Sequence, residues 1–195
     1  MYSQNNEEEV IAKYLDLSKG GTYVDVGSGP CTELSNTYFL YKLGWRGLCI
    51  DANPEYAHGY TLNRPGDIFL NLAIWDSKTK ITMANTVPEG SWLFDEYRSK
   101  RYKTYIVSTM TMDQLIGKYP QFAEPDLFSL DVELSENKVF AKCQMALIFK
   151  PKLMIIEHQV RGISSKPLWE TEILELYDHV DTVESNAFYL RKGGL

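Results

Sequence analysis

The chain is poor in the residues that staple or metallate small proteins. It has three cysteines, Cys31, Cys49 and Cys143, and three histidines among 195 residues. An odd cysteine count with no C-x-x-C pair argues against a disulfide framework or a cysteine zinc site, and suits a reducing compartment. Basic blocks are missing too. Only Arg98, Lys100, Arg101 and Lys103 cluster, and the net charge is −6, so composition carries no nucleic-acid footprint. No apolar run reaches transmembrane length, and the early acids Glu7, Glu8 and Glu9 are the wrong composition for a signal peptide. These absences predict a cytoplasmic protein with no nucleic-acid or membrane partner. No repeat, linker or low-complexity segment divides the sequence, so one domain over 1–195 is expected, long enough for a proper core.

What is present centres on residues 21–30, GTYVDVGSGP. Tyr23, Val24 and Val26 read as a buried strand. Gly27-Ser28-Gly29-Pro30 is a turn of small residues that lets backbone approach a ligand. A second apolar run, Gly47 to Ile50, ends in Asp51. Strand, glycine turn, helix, strand and acid form the layout of a βαβ nucleoside-binding unit, in which the acid takes ribose hydroxyls. The dinucleotide pattern G-x-G-x-x-G is incomplete, because Thr32 stands at its third glycine. Asp25 would repel a pyrophosphate at close range and attract a sulfonium or ammonium. D-x-G-x-G therefore favours S-adenosylmethionine over NAD. The competing reading has Asp25 capping the next helix or sitting in a structural hydrogen-bond network.

The spacing predicts a helix over 6–16, a strand over 22–26, a helix over 34–43 and a strand over 47–51. A helix opens at Pro54, and a strand covers 67–74. Residues 75–108 are less regular, with a short strand at 80–83 and a loop insertion around Pro88 and Trp92. Thr111 to Gln114 reads as a capping box for a helix to about 118. A strand at 127–130 runs into Asp131-Val132-Glu133. A helix over 137–149, a strand over 152–156 ending in Glu157-His158, and a helix over 167–179 follow. A terminal hairpin turns at Ser185-Asn186. This βα alternation predicts an α/β fold, a mostly parallel, doubly wound, Rossmann-like sheet of the class I methyltransferase type with a C-terminal antiparallel β-hairpin. Each strand delivers a polar group to one rim, where such sheets bind ligands: Asp25, Asp51, Asn71, Asp131 with Glu133, and Glu157 with His158.

The sequence resembles the FkbM-type methyltransferases. The likeness is carried by Tyr2-Ser3-Gln4-Asn5 followed by acids, by VDVGSGPCTELSNTYFLYKLGWRGLCIDANP at 24–54, by NLAIWD at 71–76, and by FSLDVELSE at 128–136 with LMIIEH at 153–158. It runs nearly the whole length, as expected of a minimal family member. It implies methyl transfer from S-adenosylmethionine to oxygen of a sugar or another small hydroxylated metabolite. Three departures bear on loop geometry and substrate: Leu134 where the family has Gly, Pro30-Cys31 in the glycine loop, and Asn6 and Glu8 where Gly and Asp are usual.

Asp25, Gly27, Ser28 and Gly29 are assigned to the methionine end of the cofactor. Asp51 is assigned to the ribose, with Asn53 beside it, and Asn71 with Ala73 to the adenine edge. Asn71 is equally well read as a strand-end cap. Ser35 and Asn36 bond the amino-acid portion or cap the next helix, the cap being the cheaper reading. A hydroxyl nucleophile needs help losing its proton. Asp131, Glu133 and His158 are the candidate catalytic groups. Two acids spaced as Asp131 and Glu133 share one face of a strand, and could hold a divalent metal or the cofactor's ammonium; no third ligand is evident, so metal is not favoured. A glycan-like acceptor would be recognised by the 75–108 segment, the N-terminal helix or a partner subunit, as in a homodimer. Competing readings are a non-catalytic scaffold that keeps the fold, a cap ribose methyltransferase, disfavoured by the acidic balance, and an NAD-dependent oxidoreductase, disfavoured by Asp25.

Overall fold

The computed structural model describes residues 2–85, 91–93, 103–157 and 168–193. Seven strands form the main sheet: β1 (Thr22–Val26), β2 (Arg46–Asp51), β3 (Ile68–Asn71), β8 (Leu127–Leu130), β9 (Leu153–Glu157), β10 (Tyr177–Val183) and β11 (Asn186–Arg191). Their order is β10-β11-β9-β8-β1-β2-β3. The five strands from β9 to β3 are parallel, and β11 and β10 close the edge antiparallel.

Strand alternation sends successive side chains to opposite faces, and both faces are covered. Val24, Val26, Leu48, Ile50, Phe128, Leu130, Met154 and Ile156 pack with α4 (Met112–Lys118), α5 (Glu136–Phe140) and α6 (Leu168–Leu176). Tyr23, Cys49, Leu127, Leu153 and Ile155 pack with α1 (Glu7–Tyr14), α2 (Tyr38–Lys42) and α3 (Ala57–Asn63). On this face the buried Asp25 and Ser129 continue the odd-numbered positions of their strands.

Six segments differ from the sequence expectation. The helix expected at 34–43 starts only at Tyr38, because Leu34 turns to φ 53 and Ser35 Oγ accepts the Tyr38 N–H at 3.2 Å. The helix expected at 137–149 stops at Phe140: Asp113 captures the Gln144 N–H at 3.0 Å and donates its own N–H to the Lys142 carbonyl. The strand expected at 67–74 breaks at Leu72. Its second part, β4 (Ala73–Ile74), leaves the main sheet and pairs with β7 (Lys103–Met110). The segment read as irregular is ordered β-structure, since β7 pairs along its length with β5 (Lys80–Asn85), which also pairs β6 (Ser91–Leu93). The last helix ends at Leu176, and the hairpin turns one residue earlier than expected, at Glu184-Ser185. Among the described residues no helix is long and apolar enough to cross a membrane.

Candidate active site

The parallel strands β1, β2, β3, β8 and β9 end at one edge, and the loop after β1 folds along it. The Gly27 and Ser28 N–H groups both donate to the Ile50 carbonyl, at 2.9 and 3.1 Å. Gly27 has φ +78, and a Cβ there would land on the Asp131 carbonyl oxygen. Only glycine satisfies both demands. Gly29 has φ +57 and faces open space. Ser28 is buried, and its Oγ has no hydrogen-bond partner among the described residues.

Asp51 closes this loop. One carboxylate oxygen accepts the Gly29 N–H at 2.8 Å and the other the Asn53 N–H at 2.7 Å. Each oxygen retains acceptor capacity. Burial pushes the Asp51 carboxyl up to about 6, a shift held in check by those two N–H bonds. Asn53 is buried and caps the short turn of helix at Pro54–Tyr56 by accepting the Glu55 N–H at 3.0 Å. Asn71 lies beside Asp51 in the β2–β3 register and donates to the Asp51 and Ala52 carbonyls, both at 3.0 Å. Ala73 begins β4, where the chain turns toward the second sheet.

Asp25 sits deeper than the loop. Its carboxylate accepts the Thr37 hydroxyl at 2.6 Å, and Thr37 Oγ1 in turn accepts from Arg64 Nη2 at 3.0 Å. Burial pushes Asp25 up to about 6, against the Thr37 bond and the Arg64 charge, which lower it. The structural hydrogen-bond network weighed for Asp25 is therefore present. Ser35 acts as a cap, and Asn36 donates to Ser129 Oγ at 3.3 Å. Cys31 is buried against α3, its sulfur accepting from Asn63 at 3.6 Å.

The acids beyond β8 are arranged otherwise than their spacing suggests. β8 ends at Leu130, and Glu133 and Leu134 adopt φ 54 and 71. Asp131 and Glu133 thus lie in a loop, where strand alternation does not apply. The neighbour that Asp131 acquires is Glu157, one step beyond the Leu130–Ile156 pairing of adjacent strands. The two carboxyl groups are coupled neighbours, and their like charges with partial burial favour one proton held between them. Burial and the Asp131 charge push Glu157 up to about 9, and burial raises Asp131, offset by the Glu157 bond. The proton belongs to the pair.

Two further acids join them. Glu7 is fully buried, accepting from Asn186 Nδ2 and the Asn5 N–H, both at 2.8 Å, and its charge raises Asp131. Glu136 is 9% exposed, and burial and the Asp131 charge raise it; its Oε1 has no partner among the described residues. Sequence reasoning passed over Glu7, Glu136 and the chemistry of Glu157. A signal existed: Glu7 precedes Val10 and Ile11, and Glu136 precedes Val139 and Phe140, so each acid heads the buried stripe of its helix. His158, the third catalytic candidate, lies outside the described residues. Among the described residues no group of three His, Cys, Asp or Glu side chains is placed to hold a metal ion.

The strand order, the glycine loop over β2 and the acidic carboxyl edge together define a Rossmann-like methyltransferase of class I. A family model described as the methyltransferase FkbM domain matches residues 20–188, and the chain belongs to that family. A solved structure, the methyltransferase FkbM from Methylobacillus flagellatus KT, is similar with a TM-score of 0.58 at 13% identity. The match covers 97% of this chain and 48% of that one, so the chain spans about half the length of that protein, and the likeness is one of fold. A search of curated proteins finds no match. Methyltransferases of this family use S-adenosylmethionine as methyl donor in general.

Proposed function

We propose that the protein transfers a methyl group from S-adenosylmethionine to a hydroxyl of a sugar or another small hydroxylated metabolite. The observation that carries this reading is a carboxyl edge with the buried Asp25 and Asp51 and the half-buried Asp131 and Glu157 at four strand ends, and no Lys or Arg ion-paired to any of the four among the described residues. Such an edge suits a cationic nucleoside and repels a pyrophosphate. The open backbone at Gly29, the unpartnered Ser28 hydroxyl and the remaining lone pairs of Asp51 are the right groups for an adenosyl ligand with amino-acid and ribose ends. Asp51 would take the ribose, and Asp25, Gly27, Ser28 and Gly29 would face the methionine end. Asn53, Asn71 and Ala73 would border the base. The cofactor supplies an activated methyl group.

The protein's part is to orient the acceptor and remove its proton. A hydroxyl attacks as its proton leaves, and a carboxylate whose affinity for protons has been raised receives that proton more readily. Asp131, paired to Glu157, is the group we assign to this step. Glu133, in the loop after β8, and His158, which follows Glu157 in the sequence, complete the candidate set.

Calorimetric titration with S-adenosylmethionine and S-adenosylhomocysteine tests the cofactor reading. Both should bind, and Asp51→Ala should weaken them about 10- to 100-fold, the loss expected for hydrogen bonds to a charged group. Equal affinity in wild type and Asp51→Ala would sink the assignment of Asp51.

A further inference from the structure

We propose that Tyr60 is a positioning residue for the methyl donor: its hydroxyl and the Asp51 carboxylate grip one peptide group of the glycine turn from opposite sides, and so fix the face that the turn offers to S-adenosylmethionine. The inference rests on the methyl-transfer reading and adds to its cofactor end a residue that lies outside the D-x-G-x-G signature.

The first observation is the peptide that joins Ser28 to Gly29. Its carbonyl accepts the Tyr60 hydroxyl at 3.2 Å, and its N–H donates to Asp51 Oδ2 at 2.8 Å. In a planar trans peptide these two groups point in opposite directions. The peptide is therefore held at both ends, by α3 on one side and by the end of β2 on the other.

The second observation is how little else holds it. Gly29 has φ +57, and a Cβ there would meet nothing within 4 Å, so crowding does not stop this peptide from turning over. The N–H groups of Gly27 and Ser28 are both spent on the Ile50 carbonyl. They secure the start of the turn and leave its next peptide to the clamp. A flipped peptide would aim its carbonyl at the Asp51 carboxylate, one acceptor against another.

The third observation is the Tyr60 side chain. It is 1% exposed and is the buried residue of α3. Its ring stacks on Phe69 at 4.4 Å and lies 5.0 Å from the Arg64 guanidinium carbon. Packing fixes the ring and thereby aims its hydroxyl, a group that core filling alone does not require. Tyr23, in the same cluster, gives its hydroxyl to Asp67 at 2.6 Å. Tyr60 gives its own to the turn. Hydroxyl, carbonyl, N–H and carboxylate then form one chain in which each bond strengthens the next. The buried Ser28 Oγ, without a partner among the described residues, is carried on the clamped residue, and its direction depends on the clamp.

Tyr60→Phe removes the hydroxyl and keeps the ring. Tyr23→Phe is the matched control, since it deletes a buried hydroxyl from the same cluster without touching the turn. S-adenosylhomocysteine is titrated calorimetrically into wild type and both variants, and the Gly29 amide resonance is followed by NMR in the ligand-free proteins. Tyr60→Phe should weaken binding about tenfold, the ratio that follows from leaving one buried acceptor unpaired, and should shift the Gly29 resonance. Tyr23→Phe should bind within about twofold of wild type, with the Gly29 resonance in place. A purely structural Tyr60 would lower stability and leave both readouts unmoved. In the wild-type protein the Tyr60 hydroxyl proton should exchange with water slowly enough to be seen, which tests the clamp even should Tyr60→Phe fail to fold. Unchanged affinity in Tyr60→Phe, equal losses in the two variants, an unmoved Gly29 resonance or a Tyr60 hydroxyl proton in fast exchange overturns the inference. Failure of S-adenosylhomocysteine to bind wild type overturns the methyl-transfer reading instead, and the Gly29 resonance then decides whether the clamp exists.

Discussion

Arg64 and Glu136 are both charged and both held out of water, yet one is fully answered by its surroundings and the other is not. Arg64 is 1% exposed. Its Nε donates to Asp67 at 2.7 Å, its Nη1 to Ser35 Oγ at 3.3 Å and the Cys31 carbonyl at 3.4 Å, and its Nη2 to Tyr23 Oη at 2.9 Å and Thr37 Oγ1 at 3.0 Å. The rings of Tyr23, Tyr38, Tyr41 and Tyr60 lie 5.0 to 6.0 Å from its guanidinium carbon. Asp67 is answered as well, taking the Tyr23 hydroxyl at 2.6 Å and the Gly47 N–H at 2.8 Å. Glu136, at the carboxyl edge, is met by backbone N–H groups of its own loop, but its Oε1 has no donor among the described residues, and the Asp131 charge raises it. The first arrangement ties α2, α3, β1 and β2 into one unit. The second leaves a buried acceptor oxygen without a donor among the described residues. Buried charge stabilises this fold where it is paired and costs stability where it is not.

Breaking the paired side should have the largest effect. Arg64→Met leaves Asp67 buried without its cation, which costs about 3–5 kcal/mol. Urea denaturation should give a midpoint shift of that size with an unchanged slope. Loss of under about 1 kcal/mol would mean that the tyrosines and not the ion pair organise this region.

On the unpaired side the sign reverses. Glu157 has its folded-state proton affinity raised above the ordinary 4.5, and Asp25 and Asp51 above 3.8. The folded state then binds more protons than the unfolded one, so these groups stabilise at low pH and lose that contribution as pH climbs. The window runs from about 4 to 6 for the two aspartates and up to about 9 for Glu157. Thermal stability should therefore fall between pH 5 and pH 8. Glu157→Gln, which keeps shape and removes the charge, should flatten the upper part of that slope. At pH 8 it should raise the melting temperature by about 2–4 °C, the shift that accompanies about 1 kcal/mol in a chain of this size. A lower melting temperature at pH 8 would count against a shared proton.

The smallest expected effect lies in the same acidic loop. Leu134 holds φ 71 while half exposed. A left-handed non-glycine residue costs about 1–2 kcal/mol, and glycine returns about half of that as lost chain entropy. Leu134→Gly should thus stabilise by about 0.5 kcal/mol, read as a small rise in denaturation midpoint. This departure from the family pattern is tolerated strain, and it leaves the acids in place.

Much of the framework was legible because its signals are local. β1, β2, β8 and β9 are short apolar runs ending in acids, and the Thr111 capping box formed as its residues dictate, with Thr111 Oγ1 accepting the Gln114 N–H at 3.2 Å. What escaped was set by distant partners. The helix after Asn137 stops because Asp113, on another helix, captures its amide. β7 hides its period because Ile106 points outward at 72% exposure while Thr109 is buried at 3%, the reverse of what residue type suggests. At the site, Asp131 and Glu133 were grouped by spacing, whereas the coupled pair, Asp131 with Glu157, is 26 residues apart in sequence and adjacent only through the β8–β9 register. Glu7 and Glu136 were hidden by a sound habit of treating acids in helices as solvated.

Position 27 sets a boundary for anyone reshaping this protein. The space beside Gly27 is filled by the Asp131 carbonyl, so the turn that would seat the donor and the loop that carries Asp131 meet over a gap narrower than a methyl group. A library that varies residue 27 damages both at once and teaches nothing about either. Residues 133–136 can be varied with the turn at 27 left whole, so the two can be probed separately.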